Sequence, residues 1–494
     1  MYDLVVIGGG SGGLTIGKYG AKLGAKVAII EVDRLGGDCT WSGCVPSKAL
    51  IASARAAHAM RRSAELGLPS ATFDAPIDLG QIVDRIARLQ EQIYRENDDP
   101  ELLRAAGCDV IEGYARFIGP HTVEVDDHGK TRRIESQHFC IATGSSPTLP
   151  PIEGLDTVDY WTNRNVFQQR TLPQRLLVGG GGPIGLELGQ AFARLGSHVS
   201  VVEAMPRILV NAEPDASELL LDCLRSEGLD IRTETLVQSV HQTNSEPTSD
   251  QGTMIEVQLR SGGETESLSF DALLLATGQR PNVGELNLEL AGVDYNERGI
   301  IVDDTLRTTN RSIFAVGDVA GRHAFTHTAA YEAGIVLRNA LFPLQQKADE
   351  QAVPSATFTD PEVAQVGLTE AQARARWNDV KTYRQDFSTN DRALLDGSSR
   401  GFLQFVTHGR KGRIVGAQII GPAAGELIHE FVIAMRANLT ASDIAESMHV
   451  YPTLSEIAAH AALQPYEEWL GSRNVQRVRR GYRAGRGLID RIKL

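Results

Sequence analysis

Two cysteines with four residues between them stand in the run Gly36-Gly37-Asp38-Cys39-Thr40-Trp41-Ser42-Gly43-Cys44-Val45-Pro46-Ser47-Lys48. At that spacing a pair can close a small disulfide loop, serve as a structural pair, or supply half of a metal site. No second close-spaced Cys or Cys/His pair completes a zinc tetrad, so no metal is assigned. Pro46 fits the first turn of a helix, where its missing N–H would have no partner anyway. The Ala-rich run from Ala49 to Met60 continues that helix. A thiol at a helix N-terminus beside a lysine, here Lys48, has its thiolate favoured, and exchange chemistry requires the thiolate. Cys108, Cys140 and Cys223 lack such surroundings and read as buried spectators.

Elements that could position such a pair recur along the chain. The apolar run Leu4 to Ile7 leads into Gly8-Gly9-Gly10-Ser11-Gly12-Gly13, and Leu176 to Val178 leads into Gly179-Gly180-Gly181-Gly182-Pro183-Ile184-Gly185. A shift of 172 positions superimposes the two segments without a gap, placing Gly13, Gly17, Leu23, Gly24, Val27 and Glu31 on Gly185, Gly189, Leu195, Gly196, Val199 and Glu203. Each copy reads as strand, glycine turn, helix, strand, acid. One glycine closes the turn, one admits a pyrophosphate to the backbone, and one lets helix and strand pack closely. The helix N-terminus offers free N–H groups to phosphates. Glu31 and Glu203 stand where a carboxylate accepts from a ribose 2′-hydroxyl. Two copies in this context imply two dinucleotides side by side.

The bulk properties agree with a soluble multidomain chain. Its 494 residues suit about three domains, and 42% apolar with 22% charged residues is an ordinary globular balance. A net charge of −13 disfavours nucleic acid as a partner of the body. No apolar run approaches a membrane span. The chain opens Met1-Tyr2-Asp3 and runs straight into an apolar strand pattern without a signal-peptide signature. Five cysteines make no disulfide framework, so a cytoplasmic location is expected.

With these motifs in place the chain resembles the FAD-dependent pyridine nucleotide–disulfide oxidoreductases, the family of dihydrolipoamide dehydrogenase, glutathione reductase and mercuric reductase. The loop Gly8, Gly10, Gly13 with Glu31 is similar to its ADP-binding motif for FAD, and Cys39 to Lys48 to its redox-active disulfide. Ala142-Thr143-Gly144 and Ala276-Thr277-Gly278 resemble its two strand-end signatures. Thr309 to Asp318 resembles its second FAD motif, whose aspartate holds the ribityl chain. The resemblance runs from residue 3 to about 465. It implies an α/β fold with two Rossmann-like dinucleotide-binding domains, for FAD and NAD, plus an α+β C-terminal dimerisation domain. Residues 1–149 and 280–348 would form the FAD domain, 150–279 the NAD(P) domain, 352–465 the interface domain, and 466–494 a basic tail. His241 to Gln251 reads as a hairpin loop. Leu427, Ile428, Phe431, Val432 and Met435 form a helical stripe suited to subunit packing, or equally to internal core.

The resemblance also implies a relay in a homodimer. NAD(P)H passes hydride to FAD, which reduces a Cys39–Cys44 disulfide, and the thiols act on a small-molecule or protein-bound disulfide or dithiol. Cys44 would be the charge-transfer thiol, Cys39 the exchanging one, and Lys48 would pair with Glu187, which by itself reads as an ordinary helix residue. Gly37, Lys48, Ala115, Thr143, Gly144, Asp318 and His327 would join the FAD set. Gly180, Gly182, Gly185, Glu203 and Gly278 would hold NAD. Glu203 would repel the 2′-phosphate of NADP(H), a preference that Arg207 could moderate.

One segment departs from the family. In His449-Val450-Tyr451-Pro452-Thr453-Leu454-Ser455-Glu456, Tyr451 stands where the family's disulfide reductases carry the histidine that the partner subunit supplies as acid/base, oriented by a glutamate five residues on. A phenol with a pKa near 10 is a poor base at neutral pH. His449 lies two residues upstream, and Glu456 doubles as the acid of a Thr453-x-x-Glu456 capping box. Three functions stay open: a dihydrolipoamide-dehydrogenase-like enzyme, a mercuric-reductase-like protein or reductase of a non-disulfide acceptor such as a quinone, and a binding flavoprotein with little turnover. The run Phe325 to Glu332 suits the mercuric reading, whereas a last cysteine at Cys223 leaves out that enzyme's C-terminal thiol pair. The tail carries Arg473, Arg477, Arg479, Arg480, Arg483, Arg486, Arg491 and Lys493 against Asp490, with Val478, Tyr482, Leu488, Ile489 and Ile492 interspersed. It is expected to be a solvated tail, to fold onto the acidic body, or to make weak contact with an anionic membrane or acidic partner. Gly481, Gly485 and Gly487 are expected to interrupt any helix there.

Overall fold

The computed structural model describes residues 1–69, 73, 75–127, 129–243 and 254–492, and these divide into two compact units. The first comprises Met1–Ile208 and Leu224–Asp349. At its centre Tyr2–Ile7 pairs in parallel with Val27–Glu31 on one side and with the end of Lys130–Ile141 on the other. Cys108–Glu112 and Ile313–Ala315 extend the parallel region, while the start of Lys130–Ile141 pairs antiparallel with Thr122–Asp127. One long strand thus serves two layers. Apart from the half-buried Asp3 and Glu31, the central strands are buried apolar runs, as parallel sheets covered on both faces require.

A second parallel sheet in the same unit orders its strands Asp230–Arg232, His198–Val202, Arg175–Gly179 and Ala272–Leu275. Beside it Thr235–Gln242, Ile255–Ser261 and Glu264–Phe270 form an antiparallel meander. His241 and Gln242 belong to its first strand, so the hairpin loop starts later than the sequence suggested, and 244–251 of it lie outside the described residues.

The second unit comprises Leu209–Cys223 and Glu350–Leu494. Its five-stranded antiparallel sheet runs Pro354–Thr357, Glu362–Gly367, Arg413–Gly421, Phe402–His408, Val380–Asp386. The helix Ala424–Arg436 carries the apolar stripe, and Ile428, Phe431 and Met435 join this unit's own core, with Leu427 and Val432 packed against it. The stripe is therefore spent internally; its period was legible, but period does not say what covers a face. The glycine argument for the tail is also overturned, because Arg473–Ile492 is one continuous helix. A glycine penalty of about 1 kcal/mol each is spread among Arg, Gln, Ala and Leu, which favour helix. Lys493 lies outside the described residues.

Candidate functional site

The two glycine turns obey the same steric rules. Gly8 and Gly180 adopt φ of 109° and 115°. A Cβ on them would come within 2.3 Å of the Ala142 carbonyl oxygen and 2.4 Å of the Ala276 carbonyl oxygen. These carbonyls belong to the two Ala-Thr-Gly segments, so each strand-end signature backs its own loop. A Cβ on Gly13 or Gly185 would approach the Gly8 or Gly180 carbonyl oxygen to 2.0 Å. The helices Ser11–Lys22 and Pro183–Leu195 start from these turns. Glu31 accepts from the Gly9 N–H at 2.6 Å and Glu203 from the Gly181 N–H at 2.7 Å, so each acid braces its loop. Gly278, with φ 116°, follows the second of those strands.

The first loop opens onto a cavity of about 1230 Å3. Gly8, Gly10, Glu31, Gly37, Ala115, Thr143, Gly144 and Asp318 line it, together with Cys39. Its walls are built around absent side chains: a Cβ on Gly37 would lie 2.8 Å from the Gly10 Cα. Asp318 accepts from Ser145 Oγ at 2.6 Å, while burial pushes its carboxyl up. A glycine-walled cavity of this volume lined by Glu31, Asp318 and Cys39 fits FAD. His327, assigned to the same set, is instead exposed, does not line the cavity, and stacks on Phe325 at 5.2 Å between ring centroids.

Cys44 opens the helix Cys44–Arg61, with Pro46 in its first turn, and Cys39 lies in the short helix Gly37–Trp41 before it. Both are free thiols, and they hydrogen-bond to each other. That bond is the main cause holding the Cys44 thiol below its ordinary value; Thr326 and the Lys48 charge act the same way, against desolvation. The same bond pushes the Cys39 thiol up, so Cys39 is the protonated partner. Thr326 Oγ1 stands 3.5 Å from Cys44 Sγ. This residue was not singled out from sequence, since nothing local links position 326 to position 44. The spectators are buried, and burial pushes Cys108 up to about 12 and Cys140 up as well.

Lys48 Nζ donates to Glu187 Oε2 at 2.8 Å, and the Glu187 side chain is only 6% exposed. The pair joins the thiol helix to the helix of the second glycine loop. Farther along the same two helices Arg61 donates to the Arg194 carbonyl.

The departing segment lies in the second unit. Tyr451 is exposed, and its hydroxyl donates to Asp391 Oδ2 at 3.0 Å. The Asp391 carboxylate raises the phenol further, away from any use as a neutral-pH base. His449 Nε2 faces Glu430 Oε1 at 3.1 Å. Glu456 accepts from the Thr453 N–H at 3.1 Å and orients neither ring; the expected capping box does not form, because the helix starts at Glu456 itself with Ser455 as its N-cap. The three residues grouped from sequence therefore have separate partners, Asp391 and Glu430 among them.

Residues 2–333 match the family described as pyridine nucleotide-disulphide oxidoreductase, and 353–462 match its dimerisation domain. A mercuric reductase of Bacillus cereus is 35% identical over 92% of this chain and 70% of its own. A dihydrolipoyl dehydrogenase of Thermus scotoductus is 36% identical over 93% of this chain and 96% of its own. Among solved structures, the Cu(II) complex of the HOCl-induced flavoprotein disulfide reductase RclA from Escherichia coli superimposes with a TM-score of 0.82 at 29% identity, covering 93% of this chain and 98% of that one. Among the described residues no helix is long and apolar enough to cross a membrane.

Proposed function

The chain belongs to the pyridine nucleotide–disulphide oxidoreductases, FAD-dependent enzymes that use a pyridine nucleotide, and from that premise we propose an NADH-dependent reductase whose Cys39/Cys44 pair delivers two electrons to a disulfide. The observation that carries this reading is the Cys44 thiol at a helix start, lowered by Cys39 and standing against Thr326. FAD, when bound, supplies the two-electron link between nicotinamide and sulfur. Its adenosine ribose would meet Glu31 and its ribityl chain Asp318. Glu203 braces the second loop with its charge toward the ribose position, which suits NADH and repels a 2′-phosphate.

Toward a disulfide, Cys39 attacks one acceptor sulfur and releases the other as a thiol, which takes the Cys39 proton. Cys44 thiolate then attacks Cys39 sulfur, closing the Cys39–Cys44 disulfide and releasing the second acceptor thiolate. The protein would work as a homodimer in a reducing cytoplasm.

Tyr451 supports a second reading. With its hydroxyl given to Asp391, it is no base for moving the Cys39 proton. A soft divalent cation binds a thiol pair directly and takes two electrons to the metal, without exchange between sulfurs. Steady-state NADH oxidation against lipoamide, glutathione disulfide, Hg(II) and a quinone separates the readings. On the disulfide reading, Tyr451→His raises lipoamide turnover at least about tenfold, within what a placed base contributes, with flavin reduction unchanged. Hg(II) turnover that exceeds every disulfide and ignores Tyr451→His favours the cation. Turnover that survives Cys39→Ser overturns both.

A further inference from the structure

The reductase chemistry leaves the helix Arg473–Ile492 unused. It carries seven arginines against Asp490 on a chain whose overall charge is −13. Val475, Val478 and Tyr482 recur at spacings of three and four, which aligns them along one side of the helix. The sequence repeats that spacing through Gly485, Ile489 and Ile492. Arg473, Arg477, Arg480 and Arg483 fall on the remaining circumference. Val478 is 73% exposed and Tyr482 67%, so no described residue covers the apolar side at these positions. Among the described residues the hydrogen bonds of the helix beyond its own ladder are local: Gln476 Nε2 donates to the Leu470 carbonyl and the Val475 N–H to Ser472 Oγ. None of Arg477, Arg479, Arg480 and Arg483 forms an ion pair with a described residue. Immediately before it, at the end of Glu456–Gly471, Tyr466 and Trp469 lie exposed with ring centroids 5.5 Å apart.

We propose that this helix is a docking surface for an anionic phospholipid bilayer, lying in the plane of the headgroups. Its composition is that of interfacial helices: low net hydrophobicity, a narrow apolar side and an arginine-rich polar one. Exposed Tyr and Trp suit the same depth, where the ring is half apolar and its polar edge stays wet. The three-four spacing would also suit pairing with a second copy of the helix. Charge decides against that occupant, because two such helices bring arginine against arginine with one aspartate each to offset them. An acidic headgroup layer satisfies all the arginines at once.

Full-length protein should sediment with vesicles of phosphatidylcholine containing about one-third phosphatidylglycerol at low salt, and release as salt rises toward about 0.5 M, where charges are screened within a few ångströms. Pure phosphatidylcholine vesicles should leave it in solution. Each Arg→Gln substitution at Arg477, Arg479, Arg480 and Arg483 should lower partition about fivefold, the effect expected for one basic side chain near a charged surface. Val478→Ser with Tyr482→Ser should weaken binding without changing charge, and truncation after Leu470 should abolish it. NADH-dependent flavin reduction, measured alongside, should be unchanged in every variant, which separates this surface from the reductase reading. Equal partition of full-length and truncated chains overturns the proposal, as does equal binding to neutral and anionic vesicles. Loss of self-association on truncation, with no vesicle binding in the full chain, assigns the helix to a second copy instead.

Discussion

At the first glycine loop a Cβ on Gly10 would stand 4.0 Å from the Gly37 Cα, and one on Gly37 only 2.8 Å from the Gly10 Cα; at the second, Gly182 has nothing within 4 Å. Gly10 and Gly182 are equivalent in the repeat, and their strands, turns and acids share one geometry. What differs is the wall. The segment that carries the thiols folds across the first loop and closes a cavity, whereas the second loop stays open at the same position. One backbone device thus serves two purposes. Enclosed, it suits a nucleotide that stays; open, it suits one that arrives, reacts and leaves.

The strongest test of that contrast is a methyl group at the tightest glycine of each copy. Both sites would force a Cβ to 2.0 Å from a carbonyl oxygen, and backbone cannot yield as a side chain can, so each substitution should cost about 3 kcal/mol locally, the upper end for overpacking. Gly13→Ala is expected to give colourless or insoluble protein, because the enclosed site is part of the core. Gly185→Ala is expected to stay yellow while NADH reduces its flavin at least about a hundredfold more slowly, which corresponds to about 2.7 kcal/mol. Equal loss of flavin from both variants would remove the distinction between a resident and a visiting nucleotide.

Next in size is the thiol, which sits on the enclosed side only. Cys39→Ser should leave Cys44 as a thiolate against the flavin and give long-wavelength absorbance without reductant. The deprotonated sulfur is the absorbing form; the serine hydroxyl can donate the bond that the Cys39 thiol gave it, and Thr326 and Lys48 act the same way. The band should therefore persist at pH 8, below an ordinary thiol value of about 8.5, and fade as acid protonates the sulfur. The same band in a Cys39→Ser, Gly185→Ala double variant would show the enclosed half intact while the open half is blocked. Its absence at high pH would reassign Cys44.

The smallest effect is expected at the acids. Glu203→Ala should narrow the preference for NADH over NADPH by about tenfold, as loss of one charge repulsion of about 1.4 kcal/mol would do. Glu31→Ala should alter flavin retention and leave that ratio untouched. Equal use of the two nucleotides by the unaltered protein would sink the role given to Glu203.

Local devices were the legible part of this chain. The glycine turns, the acids eighteen residues after them and the thiol helix with Pro46 are written in consecutive residues, because steric needs of the backbone act over short spans. Pairings across long separations left no such trace: Tyr451 with Asp391, His449 with Glu430, and Thr326 with Cys44 depend on how distant elements pack. His327 shows the converse, since a residue one position beyond a cavity-lining threonine is exposed and does not line the cavity. In the stripe from Leu427 to Met435 the period was right and the covering surface was not encoded in it.

The bonds Lys48–Glu187 and Arg61–Arg194 fasten the same two helices near both ends. Two rods pinned at one point can scissor; pinned at two, they move as one. The thiol helix and the helix of the second glycine loop are therefore held at two points rather than one. On the proposed relay, sulfur and hydride donor then need not search for each other at every turnover.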